Sequence, residues 1–302
     1  MWSVGKRVHE RFPTTRQGLL ATLYRRPRAS LVPWVPLAVI ASFVLGAMSA
    51  PLVTPYDPIK HDLINNLTPP AWVAGGSAEH LLGTDQFGRD VLARILYGAR
   101  ASFSVAAASL SIAVSIGLVA GLVAGFIGGI VDTILMRLVD IVLSLPTILV
   151  ALTLAIALGP SFRNLVLVIG FLTWPQIARL ISGETMLLKR SDYVRYANAV
   201  GVPGPLVVMR HIVPNVLATL VVAVTLEIAH VILLEASLSF LGVGLPPPTA
   251  SWGAMISDGR ALIATGWWIA LFAGLMITIT VLSFNALGDW LRDRLDPKLR
   301  LR

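Results

Sequence analysis

Long apolar runs alternate along this chain with shorter polar or basic segments. About 20 apolar residues cross a bilayer as a helix. On that measure six spans are expected, at 31–53, 100–126, 133–158, 164–184, 212–235 and 267–288. The second and sixth are the cleanest, with no charge between Ala101 and Ile130 or between Trp267 and Leu287. The third starts among Asp132, Arg137 and Asp140, so its first turn is expected at the interface. Arg137 and Asp140 are three apart on one helical face and are expected to pair there.

Two polar segments on one side are long. Residues 54–99 begin with Pro55, Pro58, Pro69 and Pro70 and end in an amphipathic stretch. In that stretch Val91, Leu92, Ile95 and Leu96 recur at helical spacing against Arg89, Asp90 and Arg94. Residues 236–266 hold Gly242, Gly244 and Pro246-Pro247-Pro248, a run that cannot continue a helix. A re-entrant or surface-lying segment is expected there. No internal repeat or low-complexity tract is visible.

Composition agrees with the pattern. The chain has 302 residues, 56% hydrophobic and 13% charged, with a mean hydropathy of +0.78. Soluble domains carry about 25% charged residues, so the expected class is an all-α polytopic membrane protein. With no cysteine, disulfides and thiolate metal sites are excluded. The net charge of +8 is not a nucleic-acid patch, because the basic residues gather at the ends of apolar runs. With six spans, the N-terminus, the 185–211 loop and the C-terminal tail share one side. That side holds sixteen Lys and Arg, against six on the other. The positive-inside bias therefore predicts cytoplasmic termini and a cytoplasmic central loop. Residues 1–30 carry seven Lys and Arg, an n-region too long for an ordinary signal peptide. The Met48-Ser49-Ala50 run looks slightly like a cleavage site, but an uncleaved first span is the expectation.

Glu227 and His230 share a face of the fifth span, with Glu235 near its outer end. Either this face lines a translocation path, or Glu227 and His230 pair within the bundle; the sequence leaves both open. Arg179 and Glu184, on the fourth span, read as interface anchors. Gly117-x-x-x-Gly121-x-x-x-Gly125 makes a stripe that admits a close neighbour helix, from this chain or a second one. There is no G-x-x-x-x-G-K-[ST] and no H-E-x-x-H. Gly75-Gly76-Ser77 lacks the strand and helix that a nucleophile motif needs. No catalytic residue, metal or cofactor is expected.

The island between the fourth and fifth spans is the most informative segment. It runs from Ser191 to Asn215 and contains Arg195-x-Ala197-x-Ala199-x-Gly201, with Pro214 thirteen residues beyond the glycine. Asp192 to Val200 suits a short helix with Tyr193, Ala197 and Val200 on one face. Ala197 and Ala199 leave room for a partner surface. Gly201 permits a turn that a β-carbon would hinder, and Pro203-Gly204-Pro205 stops the helix. By its residues alone it could be a generic hairpin.

Its spacing resembles the ATPase-docking loop of bacterial ABC-importer permeases, and other segments extend the likeness. Gly83-Thr84-Asp85-x-x-Gly88-Arg89-Asp90 and Asp132-x-x-x-Met136-Arg137-x-x-Asp140 are similar to segments of dipeptide, oligopeptide and nickel permeases. So are Glu235-Ala236-Ser237-Leu238-Ser239-Phe240, Ser251-Trp252-Gly253 and Asn285-x-Leu287-Gly288-Asp289. Together these cover most of residues 80–300. Arg195 and Tyr196 stand where the usual motif has Glu and Ala, and Pro203-Gly204-Pro205 is stiffer than the family's usual sequence.

The resemblance implies a type I ABC-importer permease of the bacterial inner membrane. It implies a second homologous permease, two cytoplasmic ATP-binding subunits and an extracytoplasmic binding protein as partners, with peptide as substrate. The ATPases would dock on Tyr193, Arg195, Ala197, Ala199, Gly201, Arg210, His211 and Pro214. Gly83, Asp85, Gly88, Arg89, Asp90 and Asp289 would be structural. The expected organisation is a cytoplasmic segment at 1–30, a first span and outer loop at 31–99, a permease core at 100–290 with the loop at 185–214, and a tail at 291–302. Nickel or another small solute is the alternative cargo. A gradient-driven secondary transporter is the alternative class, although the matched broken helices of such proteins are not visible.

Overall fold

The computed structural model describes residues 33–295; the expected cytoplasmic segment at 1–30 and most of the tail lie outside them. The regular elements of the described chain are helices, with an isolated Thr84–Asp90 bridge in the largely irregular segment 54–90. In chain order the helices are α1 (Trp34–Val53), α2 (Val91–Ile127), α3 (Gly129–Ser144), α4 (Thr147–Leu158) and α5 (Phe162–Lys189). They continue with α6 (Asp192–Ala199), α7 (Gly204–Val207), α8 (Val213–Phe240), α9 (Trp252–Arg260) and α10 (Trp267–Leu295), and a π turn at Val208–Ile212 joins α7 to α8.

Among the described residues, five helical stretches are long and apolar enough to cross a membrane: α1, α2, α5, the α7–α8 run and α10. A sixth exists only if α3 and α4 count as one span, because they meet at 87°. The single span expected at 133–158 is therefore broken. The cause is local: Pro146 disfavours helical geometry in the residue before it, and Leu145 is extended, with ψ 142°. Other ends also moved. The amphipathic stretch at 91–96 forms the first turns of α2, a continuous helix of 37 residues. Asp90 starts it by accepting a hydrogen bond from the Ala93 amide at 2.7 Å. The expected re-entrant segment contains α9, capped by Ser251.

The closest helix pair is α2 against α5, which run parallel. Gly117 faces Trp174 and Ile177, Gly121 faces Ala178 and Ile181, and Gly125 faces Ser182 and Thr185. A β-carbon on Gly121 would stand 2.7 Å from both the Ala178 carbonyl oxygen and the Ile181 β-carbon. The stripe is thus filled from within the chain. Near the start of α2, Trp252, 1% exposed, is inserted between helices, and its indole donates to the Ile95 carbonyl at 3.0 Å. Phe43 and Phe103 pack edge-on against it. Gly253 lets α9 approach α8 closely, since a β-carbon there would meet the Ala236 carbonyl oxygen at 2.5 Å. The Ser251-Trp252-Gly253 triplet is a cap, a wedge and a gap in sequence order. By contrast α1 buries only Ala47 and Ala50, leaving Trp34, Val35, Leu45, Met48 and Leu52 exposed.

Replacing Gly121 by Leu is expected to destabilise the protein by about 1–3 kcal/mol through overpacking. Gly183, where a β-carbon meets nothing within 4 Å, is the control. Its replacement by Ala is expected to be neutral or to stabilise by up to about 1 kcal/mol. Thermal inactivation of the purified variants measures both; equal effects would contradict the assigned packing.

Candidate functional site

The loop between α5 and α8 is built on two short helices closed by a glycine. Helix α6 ends with Val200, after which Gly201 takes φ +83°. The Gly201 amide donates to the Asn198 carbonyl and the Val202 amide to the Ala197 carbonyl, both at 3.1 Å. This reciprocal pair is a Schellman end, which needs a left-handed residue at its centre. A new helix starts at Gly204, so the Pro-Gly-Pro break falls where expected. Lys189 holds the loop to the end of α2 by donating to the Phe126 carbonyl at 2.5 Å. Gly204 packs beside the Phe126 ring.

Inward-facing Val194, Ala197, Val207 and Ile212 belong to the core, so Ala197 packs on its own subunit rather than lying open. The outward face carries Tyr193, Arg195, Tyr196, Ala199, Val200, Met209, Arg210 and Pro214. Tyr196 is 72% exposed, Met209 67% and Val200 62%. His211 is half-buried, its ring 6.3 Å from that of Tyr193. The expected grouping of Tyr193, Ala197 and Val200 on one face is therefore split, with only Ala197 turned inward.

At the opposite end of α2 the Gly83–Asp90 motif closes a buried ionic cluster. Asp85, fully buried, accepts from the Phe87 and Arg89 amides at 2.9 and 3.0 Å and from Arg89 Nε at 2.6 Å. Arg94 Nη1 stands 3.3 Å from the same carboxylate. Asp258 on α9 closes the group, 3.1 Å from Arg94 Nη2 and 3.4 Å from Arg89 Nη2. Burial pushes the Asp258 carboxyl above its ordinary range, while Arg94 and Arg89 pull it down. His80 Nδ1 lies 2.9 Å from Asp90 Oδ2. Gly83 and Gly88 are both at positive φ and lie against the backbone of residues 62–69, which leaves no room for side chains. Sequence reasoning missed Asp258, which reaches Arg94 across 164 positions and gives no local signal, and His80, whose partner Asp90 is ten positions away in an irregular segment with no helical or strand spacing to mark the pair. Asp289 is exposed on α10, after Gly288 packs on Leu226.

The three ionisable residues expected along α8 separate into different environments. Glu235 is 1% exposed and accepts from Ser102 at 2.9 Å and Ser239 at 2.7 Å, so this subunit encloses it. Glu227 is half-buried with Oε2 lacking a hydrogen bond, and His230 is exposed. No hydrogen bond or ion pair joins Glu227 to His230 among the described residues. The expected Arg137–Asp140 pair is also absent. Asp140 instead accepts from Arg179 across α3 and α5, with both side chains about half exposed. Such exposed pairs contribute about 0–1 kcal/mol, whereas a charge at bilayer depth costs about 2.5–3.5 kcal/mol. Stability does not account for this pair.

The family profile described as "Binding-protein-dependent transport system inner membrane component" matches residues 117–301. The chain is 46% identical over 277 residues to the dipeptide transport system permease protein DppC of Escherichia coli K12, covering 92% of this chain and 91% of that protein. It is 40% identical over 257 residues to the di/tripeptide transport system permease protein DppC of Pseudomonas aeruginosa UCBPP-PA14, with 85% of each chain covered. A DppC of Alkalihalophilus pseudofirmus is 40% identical over 266 residues, covering 88% of this chain and 86% of that protein. The chain belongs to the family of binding-protein-dependent inner-membrane transport components. It is a multi-pass permease subunit of an ABC importer in the plasma membrane, and a non-catalytic one.

Removing Asp85 tests the outer cluster. Asp85→Ala leaves Arg89 and Arg94 buried without their shared carboxylate and is expected to cost about 3–5 kcal/mol. Asp258→Asn, at a partly exposed position, is expected to cost much less. Melting of the purified variants ranks the two, and the reverse order would refute the assignment of Asp85 as the centre.

Proposed function

We propose that this subunit imports di- and oligopeptides, with a second homologous permease beside it and two cytoplasmic ATP-binding subunits below. The substrate class rests on relatives named for dipeptide and di/tripeptide transport, at identities up to 46% over 92% of the chain. The architecture is a type I importer permease with six spans, α3 and α4 together forming the third, and with both termini cytoplasmic. Its parts are the cytoplasmic segment 1–30, the first span and outer loop 31–99, the core 100–290 and the tail 291–302. An extracytoplasmic binding protein delivers peptide to the 54–99 and 236–266 surface. No nucleic acid is involved.

The observation that carries the reading is the outer face of the α6–α8 connection. Tyr196, Val200 and Met209 are exposed beside Arg195 and Arg210 on a short loop anchored at both ends. Apolar side chains displayed on a polar loop suit a protein partner, here the ATPases. Tyr193, Ala199, Gly201, His211 and Pro214 shape the contact, and Ala197 seats it on the core. Closure of the ATPases moves this loop, and rigid-body rocking of the spans then switches access from outside to inside. Glu227 and His230 face the path along α8. Glu235 stands near the C-terminal end of that helix, tying it to α2 through Ser102.

Gly201→Asp tests the coupling role. A β-carbon at Gly201 meets nothing within 4 Å, so the substitution strains one backbone residue without a clash inside the subunit. Membrane abundance is expected to stay near normal while dipeptide-driven uptake falls at least about tenfold, equivalent to about 1.4 kcal/mol in coupling. Unchanged uptake at equal abundance would remove the coupling role. Absence of dipeptide uptake by the unmodified complex would remove the substrate.

A further inference from the structure

The Asp140–Arg179 pair presents opposite charges on an apolar helix face. Arg179 lies ten residues before the end of α5 at Lys189, about 15 Å along the helix. Asp140 lies eleven residues into α3. The pair therefore lies about 15 Å from the Lys189 end of α5, deeper than the interface anchor expected of Arg179, and the described part of the chain leaves both side chains about half exposed. Lipid would not tolerate that face, and ionisable groups at such depth face a wet cavity or another chain.

Two features favour a wet cavity that takes substrate. First, the pair is unsaturated. Arg179 uses one Nη2 donor on one carboxylate oxygen of Asp140, which leaves further guanidinium donors and the second carboxylate oxygen available. Second, the polar character continues along the same two helices. Ser182, three residues after Arg179, donates to Asp132, two turns before Asp140, at 3.3 Å. Together these form a polar stripe between α3 and α5 with an anion-binding fork and a cation-binding carboxylate side by side.

We propose that Asp140 and Arg179 form a substrate-binding pair on the wall of the translocation path, taking the free ammonium and carboxylate of a short zwitterionic peptide. Arg179 offers the planar fork that carboxylates fit, and Asp140 accepts from the ammonium. Between substrates the two groups neutralise each other, so the empty path holds no lone charge. The proposal rests on the peptide-importer reading above.

The chain has no cysteine, which gives a clean test. Ser144 is exposed one turn beyond Asp140 and carries none of the assigned machinery. Ser144→Cys is placed in the complete transporter, in inside-out vesicles without binding protein or ATP. A charged methanethiosulfonate reagent is applied, and its rate of attachment to this chain is followed by mass spectrometry. Alanyl-phenylalanine titrated into the bath is expected to slow attachment severalfold, and its N-acetylated, C-amidated form to leave the rate unchanged. Arg179→Gln and Asp140→Asn in the same background are each expected to abolish protection while attachment persists. No attachment would mean that the face is not wet, and attachment indifferent to the dipeptide would mean that it is not a binding site. Protection surviving both substitutions would mean that other groups hold the peptide. Any of these overturns the proposal. Dipeptide uptake by the unmodified complex, measured in parallel, reports separately on the underlying function.

Discussion

Lipid is as apolar as leucine, so helices in a bilayer gain little by hiding apolar side chains from it. What holds this fold together is close approach, and the contact between α2 and α5 is where that constraint is strongest. Gly117, Gly121 and Gly125 present bare backbone to Trp174, Ala178 and Ser182 one turn after another. This contact fixes α5 along the length of α2. It thereby fixes what stands at both ends of α2, the ionic cluster at its start and the loop seated on Phe126 at its end.

The two ends are built by different chemistry. At the outer end, buried carboxylates and guanidinium groups join residues 80–94 to α9, with Asp85 satisfied by amides as well as by arginines. Losing Asp85 would leave two buried guanidinium groups without their shared carboxylate, so this residue is the centre of the group. At the other end the loop is held by a Schellman turn, one lysine and a layer of small apolar side chains. Its exposed tyrosine, valine and methionine remain free to meet another surface. A rigid cap at one end and a presented surface at the other fit a body that rocks as a unit.

Glu235 shows how a polar group can serve the same purpose inside the bundle. It lies a turn or two from Glu227 and His230, yet it is enclosed while His230 is exposed. Two serine hydroxyls satisfy it, one from α2 and one from its own helix. Ser251 Oγ, at the start of α9, reaches Ser239 at 3.4 Å and extends the network to a third helix. Three helices therefore meet at one carboxyl group.

Much of this was legible in the chain itself. The all-helical class with several long apolar helices, the short helix at 192–199 and the glycine that ends it follow from local rules of hydropathy and backbone sterics. The family motifs could be read for the same reason. Pairing across the fold could not. Arg137 and Asp140 satisfy the helical spacing rule, yet Asp140 takes Arg179 from another helix, because side-chain direction is set by how α3 packs on α5. Asp258 reaches Arg94 across 164 residues, and no local pattern encodes that distance. A single span is expected at 133–158, yet the chain breaks at Leu145–Pro146 and α3 and α4 meet at 87°, an angle that hydropathy does not encode. Along α8, spacing placed Glu227, His230 and Glu235 on one helix; which of them is enclosed was decided by the neighbouring helices that supply or withhold a hydroxyl.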